Sequence, residues 1–265
     1  MNRIDAVFMR LAKERRAGFI AYLTAGYPSP SLTVPLVQAL EANGADIVEL
    51  GVPFSDPLAD GVVNQKSAAR ALRRGVSLKT VLGLVKRVRE RSEIPVVLFT
   101  YLNPVYAYGF ERFAADAVRA GVDGVLSLDL PPEEAEGYEA RLAAHGVKSI
   151  FLIAPTTPLA RMRLIARHAG GFIYYVSRTG VTGERGKLAM DLASRVRAIM
   201  RVTRTPVAVG FGISTPAQVA EVAQTADAVV VGSALVKEIE QHAGSADLVE
   251  RVGRKVRRLS APLRG

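Results

Sequence analysis

The chain has 265 residues, 49% hydrophobic and 23% charged, with 23 Gly, 14 Pro and neither Cys nor Trp. That length and balance allow two small domains or one large α/β domain, and they set aside disorder and coiled coil. The absence of cysteine rules out disulfides, thiolate metal ligands and a cysteine nucleophile. No stretch approaches the roughly 18 unbroken apolar residues of a membrane span. Residues 1–8 carry charges in a helical pattern and no apolar signal core, so a cytoplasmic chain is expected, with no membrane association. The formal charge is +10, from 35 Lys and Arg against 25 Asp and Glu. Arginines fall in groups at 70–74, 87–91, 161–167, 195–204 and 251–258, each within an amphipathic helical pattern and without interleaved aromatics. They read as solvated helix faces, and no nucleic-acid partner is expected.

In chain order, a short capping helix is predicted near 2–14. Eight β-branched runs follow at Phe19–Leu23, Ile47–Leu50, Val96–Tyr101, Gly124–Leu128, Ser149–Ile153, Phe172–Val176, Val207–Val209 and Ala228–Val231. Helical patterns lie near 31–43, 63–90, 109–120, 132–145, 158–169, 188–202, 214–223 and 233–258, with Ser, Thr or Pro at several of their starts. Alternation of this kind implies parallel strands joined by right-handed crossovers, with both sheet faces covered. Eight units in this length fit one closed (β/α)8 TIM barrel spanning 1–265, with an open doubly wound sheet as the rival. A weak repeat, Gly44-Ala45-Asp46, Gly121-Val122-Asp123 and Thr225-Ala226-Asp227, precedes three of the strands. It suggests recurring turns at the barrel's lower end, each with an aspartate opening the strand.

Reactive groups of a barrel belong at the strand C-termini and in the loops that follow. Glu49 stands inside an otherwise apolar strand, where an unpaired carboxylate is costly unless it faces the barrel mouth, and burial would raise its pKa toward neutral. Asp56 and Asp60 lie in the Pro- and Gly-rich loop after that strand, while Asp129 reads better as a loop brace or helix cap. One of Tyr174 and Tyr175 must point inward by alternation. The last three strands end in Ser177-Arg-Thr-Gly-Val-Thr-Gly183, Gly210-Phe-Gly-Ile-Ser214 and Gly232-Ser-Ala234. Glycine-led backbone N–H groups at helix starts after strands seven and eight suit a phosphorylated small molecule. His145, His168 and His242 lack ligand spacing, so no metal is expected, and no lysine projects from a strand end as a Schiff base would require. Acid–base chemistry by carboxylates remains.

Leu50-Gly-Val-Pro-Phe-Ser-Asp-Pro-Leu-Ala-Asp-Gly61, preceded by Glu49, together with Ser177–Gly183 and Val209-Gly-Phe-Gly-Ile-Ser214, resembles the motifs of the tryptophan synthase alpha subunit family. The resemblance runs colinearly from about residue 4 to about 259. It implies retro-aldol cleavage of indole-3-glycerol phosphate, with Glu49 moving the proton and Asp60 holding the indole N–H. It implies phosphate contacts at Gly183, Phe211, Gly212, Gly232 and Ser233, Tyr174 beside Glu49, and Thr182 bonded to Asp60 on loop closure. The implied indole wall is Tyr22, Phe99, Leu126, Leu128 and Ile153. No cofactor is implied in this chain. Its implied partner is a beta subunit carrying pyridoxal phosphate, in an α2β2 assembly, met through Pro53, Asp56 and Asn103. Departures from the family pattern are Val62-Val63-Asn64 after the signature and the bulky Leu128. A stand-alone lyase of the same substrate and another phosphate-binding barrel are the alternatives.

Overall fold

The computed structural model describes residues 1–177, 185–210 and 212–264, with side chains throughout except at 185–191. Helix α1 (Arg3–Glu14) is capped by Asn2, whose side chain accepts the Ile4 N–H, and it ends at Arg15 in the left-handed region (φ 52°). Its apolar face, Ile4, Val7, Phe8 and Leu11, closes the lower end of the barrel by packing on Ile20, Ile47, Val97, Ile150 and Phe172. The short capping helix is therefore present and serves as the barrel floor.

The units that follow are β1 (Gly18–Thr24) and α2 (Pro30–Ala42), then β2 (Ile47–Gly51) with α3 (Val62–Arg73) and α4 (Leu78–Arg89). Next come β3 (Val96–Thr100) with α5 (Leu102–Tyr108) and α6 (Phe110–Ala120), and β4 (Gly124–Ser127) with α7 (Glu136–Ala144). The second half has β5 (Lys148–Ile153), α8 (Leu159–His168), β6 (Ile173–Val176), α9 (Arg185–Met200), β7 (Val207–Gly210), α10 (Pro216–Ala223), β8 (Ala228–Val231), α11 (Ser233–Gln241) and α12 (Leu248–Ser260). All neighbouring strands pair in parallel, and β8 closes onto β1, so the barrel is closed and the open sheet is excluded.

Two long helical patterns divide. The segment read as 63–90 breaks at Gly75 (φ 76°), after which Ser77 caps α4 by accepting the Thr80 N–H. The segment read as 233–258 breaks around 242–247, before α12. Helix α5 was not anticipated; Gly109 (φ 90°) separates it from α6.

The three repeated aspartates have one shared geometry at the lower end. Asp46, Asp123 and Asp227 accept the backbone N–H of Phe19, Val96 and Val207 at 2.8–3.0 Å. Each also donates its own N–H to the carbonyl of that same residue. Arg10 and Arg16 pair with Asp46, and Arg3 and Arg89 with Asp123.

Candidate active site

Alternation along the strands decides which side chains reach the barrel interior. Glu49 on β2 faces inward with Tyr22 on β1 in register beside it, and is only 1% exposed. Its Oε1 has no hydrogen-bond partner among the described residues, and burial pushes its pKa up from 4.5 to about 8. Tyr174 on β6 is buried in the interior cluster, and its phenol is held neutral by burial, by the neighbouring Glu49 charge and by Tyr22. Burial and the Asp60 charge likewise raise the Tyr22 phenol.

Space for these two tyrosines is made by glycine. A Cβ on Gly51 would lie 2.2 Å from the Tyr22 hydroxyl, and one on Gly210 would lie 2.3 Å from the Tyr174 hydroxyl. Larger residues at either strand end would displace the rings that flank Glu49. Tyr22 meets Phe99 edge-on, with ring centroids 5.2 Å apart. Phe99 and Leu128 pack against the interior cluster, to which Leu126 belongs.

Ile153 is a correction. It points outward into the layer between barrel and helices, and alternation puts Leu152 on the interior side instead. Pro53 is buried within the chain. The β2 ladder continues past the strand end through Val52, whose N–H bonds the Phe99 carbonyl at 2.8 Å, and this keeps the next residue inside. Asp56 and Asn103 are exposed, as are the large apolar side chains of Leu58, Val62 and Tyr106 close to them in sequence.

Asp60 sits in the loop before α3, and the Tyr101 hydroxyl donates to its Oδ2 at 3.2 Å. The same hydroxyl accepts the Ala59 N–H at 2.9 Å, so one phenol fixes both the loop backbone and the carboxylate. Desolvation raises the Asp60 pKa, opposed by the Tyr101 and Asn64 side chains. Tyr101 is the residue that motif reasoning left out, although it lies two positions beyond Phe99 and so shares its face. Asp129 accepts the Leu102 N–H at 2.7 Å and braces the loop entering α5, as its position before two prolines suggested.

On the same rim, past the end of β8, Gly232 precedes α11 and lies close enough to Tyr22 that a Cβ would come 3.3 Å from the tyrosine's own Cβ. Ser233 opens that helix, whose first N–H groups have no partner within it. Gly212 has φ 75°, a conformation that favours glycine. The N–H groups of Ser214 and Thr215 are taken by the Gln218 side chain in a capping box that starts α10. The expected Thr182, Gly183 and Phe211 lie outside the described residues.

A closed parallel eight-stranded barrel with a buried carboxyl inside its mouth, a braced loop carboxylate and a glycine-led helix start after β8 has the architecture of a TIM-barrel enzyme. The model of the family described as Tryptophan synthase alpha chain matches residues 8–262, and the chain belongs to that family. A tryptophan synthase alpha chain of Solibacter usitatus is 52% identical over 248 residues, covering 94% of this chain and 93% of that one. The solved tryptophan synthase subunit alpha of Legionella pneumophila has 40% identity and a TM-score of 0.92, covering 99% of this chain and 98% of that one. A chain of the tryptophan synthase complex from Pyrococcus furiosus gives 38% identity and 0.83, covering 93% and 98%.

Proposed function

We propose that Glu49 and Asp60 carry the reaction of this family, cleavage of indole-3-glycerol phosphate to indole and glyceraldehyde 3-phosphate. The observation that carries the assignment is the buried Glu49 carboxyl, one oxygen of which has no partner among the described residues, on the same rim as a carboxylate fixed by Tyr101. With a pKa near 8, Glu49 enters the reaction protonated at neutral pH. It gives its proton to indole C3, and Asp60 accepts the indole N–H and offsets the positive charge that develops on the ring. Glu49, now a carboxylate, takes the proton of the glycerol C3′ hydroxyl. The C3–C3′ bond breaks, its electron pair returns to the ring, and the oxygen becomes the aldehyde carbonyl. The hydroxyl proton has in effect moved to C3, and Glu49 ends protonated. The ring is the electron sink, and two carboxylates in different surroundings divide the work.

Tyr22, Phe99, Leu126 and Leu128, with Leu152 in place of Ile153, would line the indole side, while Tyr174 flanks Glu49. The phosphate would rest on backbone N–H groups at Gly212, Gly232 and Ser233, joined by Phe211 and Gly183, with Thr182 reaching Asp60 when the loop closes. The exposed apolar side chains of Leu58, Val62 and Tyr106, beside Asp56 and Asn103, suit a protein partner. A beta subunit carrying pyridoxal phosphate, in an α2β2 assembly within the cytoplasm, is the partner that the family reading supplies. The test is indole release from indole-3-glycerol phosphate by the chain alone and with a beta subunit added. Slow release that the partner strongly stimulates is the expected result. Fast release without stimulation would indicate a free-standing lyase, and no release under either condition would overturn the assignment.

A further inference from the structure

Residues 62–91, which form α3 and α4, hold Lys66, Arg70, Arg73, Arg74, Lys79, Lys86, Arg87, Arg89 and Arg91 against the single acid Glu90, a net of +8 out of the chain's +10. Only Arg70 and Arg89 of these nine make an ion pair among the described residues, with Glu240 and Asp123. Such a concentration works against the helix, because Lys66 and Arg70, and again Arg70 and Arg74, are like charges four residues apart. A solvated helix face needs no such bias.

Helix α3 stays near the mouth, whereas α4 runs from the mouth end to the floor. The former follows Asp60 through the N-cap Gly61 and lies beside the end of β1. Ser67 Oγ is 2.6 Å from Oγ1 of Thr24, the last residue of β1, and Arg70 donates to the Tyr27 hydroxyl at 2.9 Å. Val76, just past α3, packs on Gly26 in the loop above β1. Helix α4 then descends to the floor, where Arg89 donates to the Gly121 carbonyl and to Asp123 just below β4. Helix α3 also packs against α11, whose N-terminus follows Gly232. Lys66, Arg73 and Arg74 therefore stand exposed on the same rim as the helix start assigned to phosphate, whereas Lys86, Arg87 and Arg91 stand exposed lower down.

We propose that α3 is an electrostatic collar that draws the phosphorylated substrate toward the barrel mouth before any contact is made. This rests on the assignment of a phosphorylated substrate to the barrel mouth. A phosphate ester carries nearly two negative charges at neutral pH, and like-signed charge around a cleft speeds association of a counter-charged ligand by about 10- to 1,000-fold. The collar touches nothing in the transition state, so it changes encounter and leaves the chemical step alone.

The experiment compares two full-length variants that lose equal charge: Lys66→Gln/Arg73→Gln/Arg74→Gln at the rim and Lys86→Gln/Arg87→Gln/Arg91→Gln lower on α4. Association of indole-3-glycerol phosphate is followed by stopped flow through the substrate's own indole fluorescence, which the chain does not obscure because it has no Trp. At about 10 mM salt, where the screening length is about 30 Å, the rim variant is expected to bind about tenfold more slowly than the parent, with kcat unchanged. The lower variant is expected to stay within about twofold, and at about 1 M salt, where screening falls to about 3 Å, all three converge. Arg73→Lys/Arg74→Lys keeps the charge and is expected to keep the parent rate. Equal losses in the two triple variants, or a rim deficit that survives high salt, would overturn the proposal. A parent chain that neither binds nor cleaves the substrate would instead defeat the underlying assignment, and with it the collar.

Discussion

Replacing Glu49 by Gln is expected to stabilise the fold near neutral pH while removing cleavage. In the unfolded chain this glutamate ionises at its ordinary 4.5, whereas burial holds it protonated in the barrel up to about 8. Below 4.5 both states bind the proton, and the group does not affect stability. Between 4.5 and about 8 the unfolded chain releases the proton and the folded chain keeps it, so stability falls as pH rises, and above 8 the loss is complete. At 1.36 kcal/mol per pH unit the loss amounts to about 3 kcal/mol by pH 7. Glutamine is nearly the same size and cannot ionise, so the variant escapes it. Any difference in hydrogen bonding between the two side chains is independent of pH and appears as a constant offset. The assay is urea unfolding of parent and variant from pH 4.5 to 8.5. Their stability difference is expected to widen by about 4 kcal/mol across that range in favour of Glu49→Gln, most of it by pH 7. A difference that stays flat with pH would refute the claim that this carboxyl is buried uncharged.

Asp60→Asn is expected to lower kcat for indole release by at least about 100-fold with little change in unfolding midpoint, since it removes charge stabilisation at a loop position. Gly210→Ala places a Cβ against the Tyr174 hydroxyl and is expected to destabilise the chain by about 1–3 kcal/mol in urea unfolding. Its turnover is expected to fall together with stability, because the displaced ring flanks Glu49. Asp123→Ala strips the Val96 N–H and two arginines of their partner, and a loss of about 3–5 kcal/mol is expected by the same measurement.

The strand count, the closed barrel and the two carboxylates were legible because each rests on a local signal. Period-two apolar runs mark strands, and one acid inside such a run cannot be ordinary core. Ile153 was misassigned because resemblance supplies a position without its parity, and only strand alternation separates it from Leu152. Tyr101 went unread because its role depends on a contact across 41 positions, which no local pattern encodes. The breaks at Gly75 and near 242–247 were hidden by apolar spacing that continues in phase across the turns. Charge was legible as a total, yet its division between mouth and floor needed the path of α3 and α4.

The three aspartates beneath the barrel have a mechanical consequence. Each clamps one neighbouring pair of strands, β1 to β2, β3 to β4 and β7 to β8, through both the amide and the carbonyl of a single residue. The β5–β6 seam has a glycine pair, Gly170 and Gly171, at the matching place before β6. The ring is therefore held unevenly, since three of its eight seams carry this rivet and the β5–β6 seam has glycines in its place. Local opening of its base is expected to begin at that seam, with amide exchange slow at Phe19, Val96 and Val207 and faster at the start of β6.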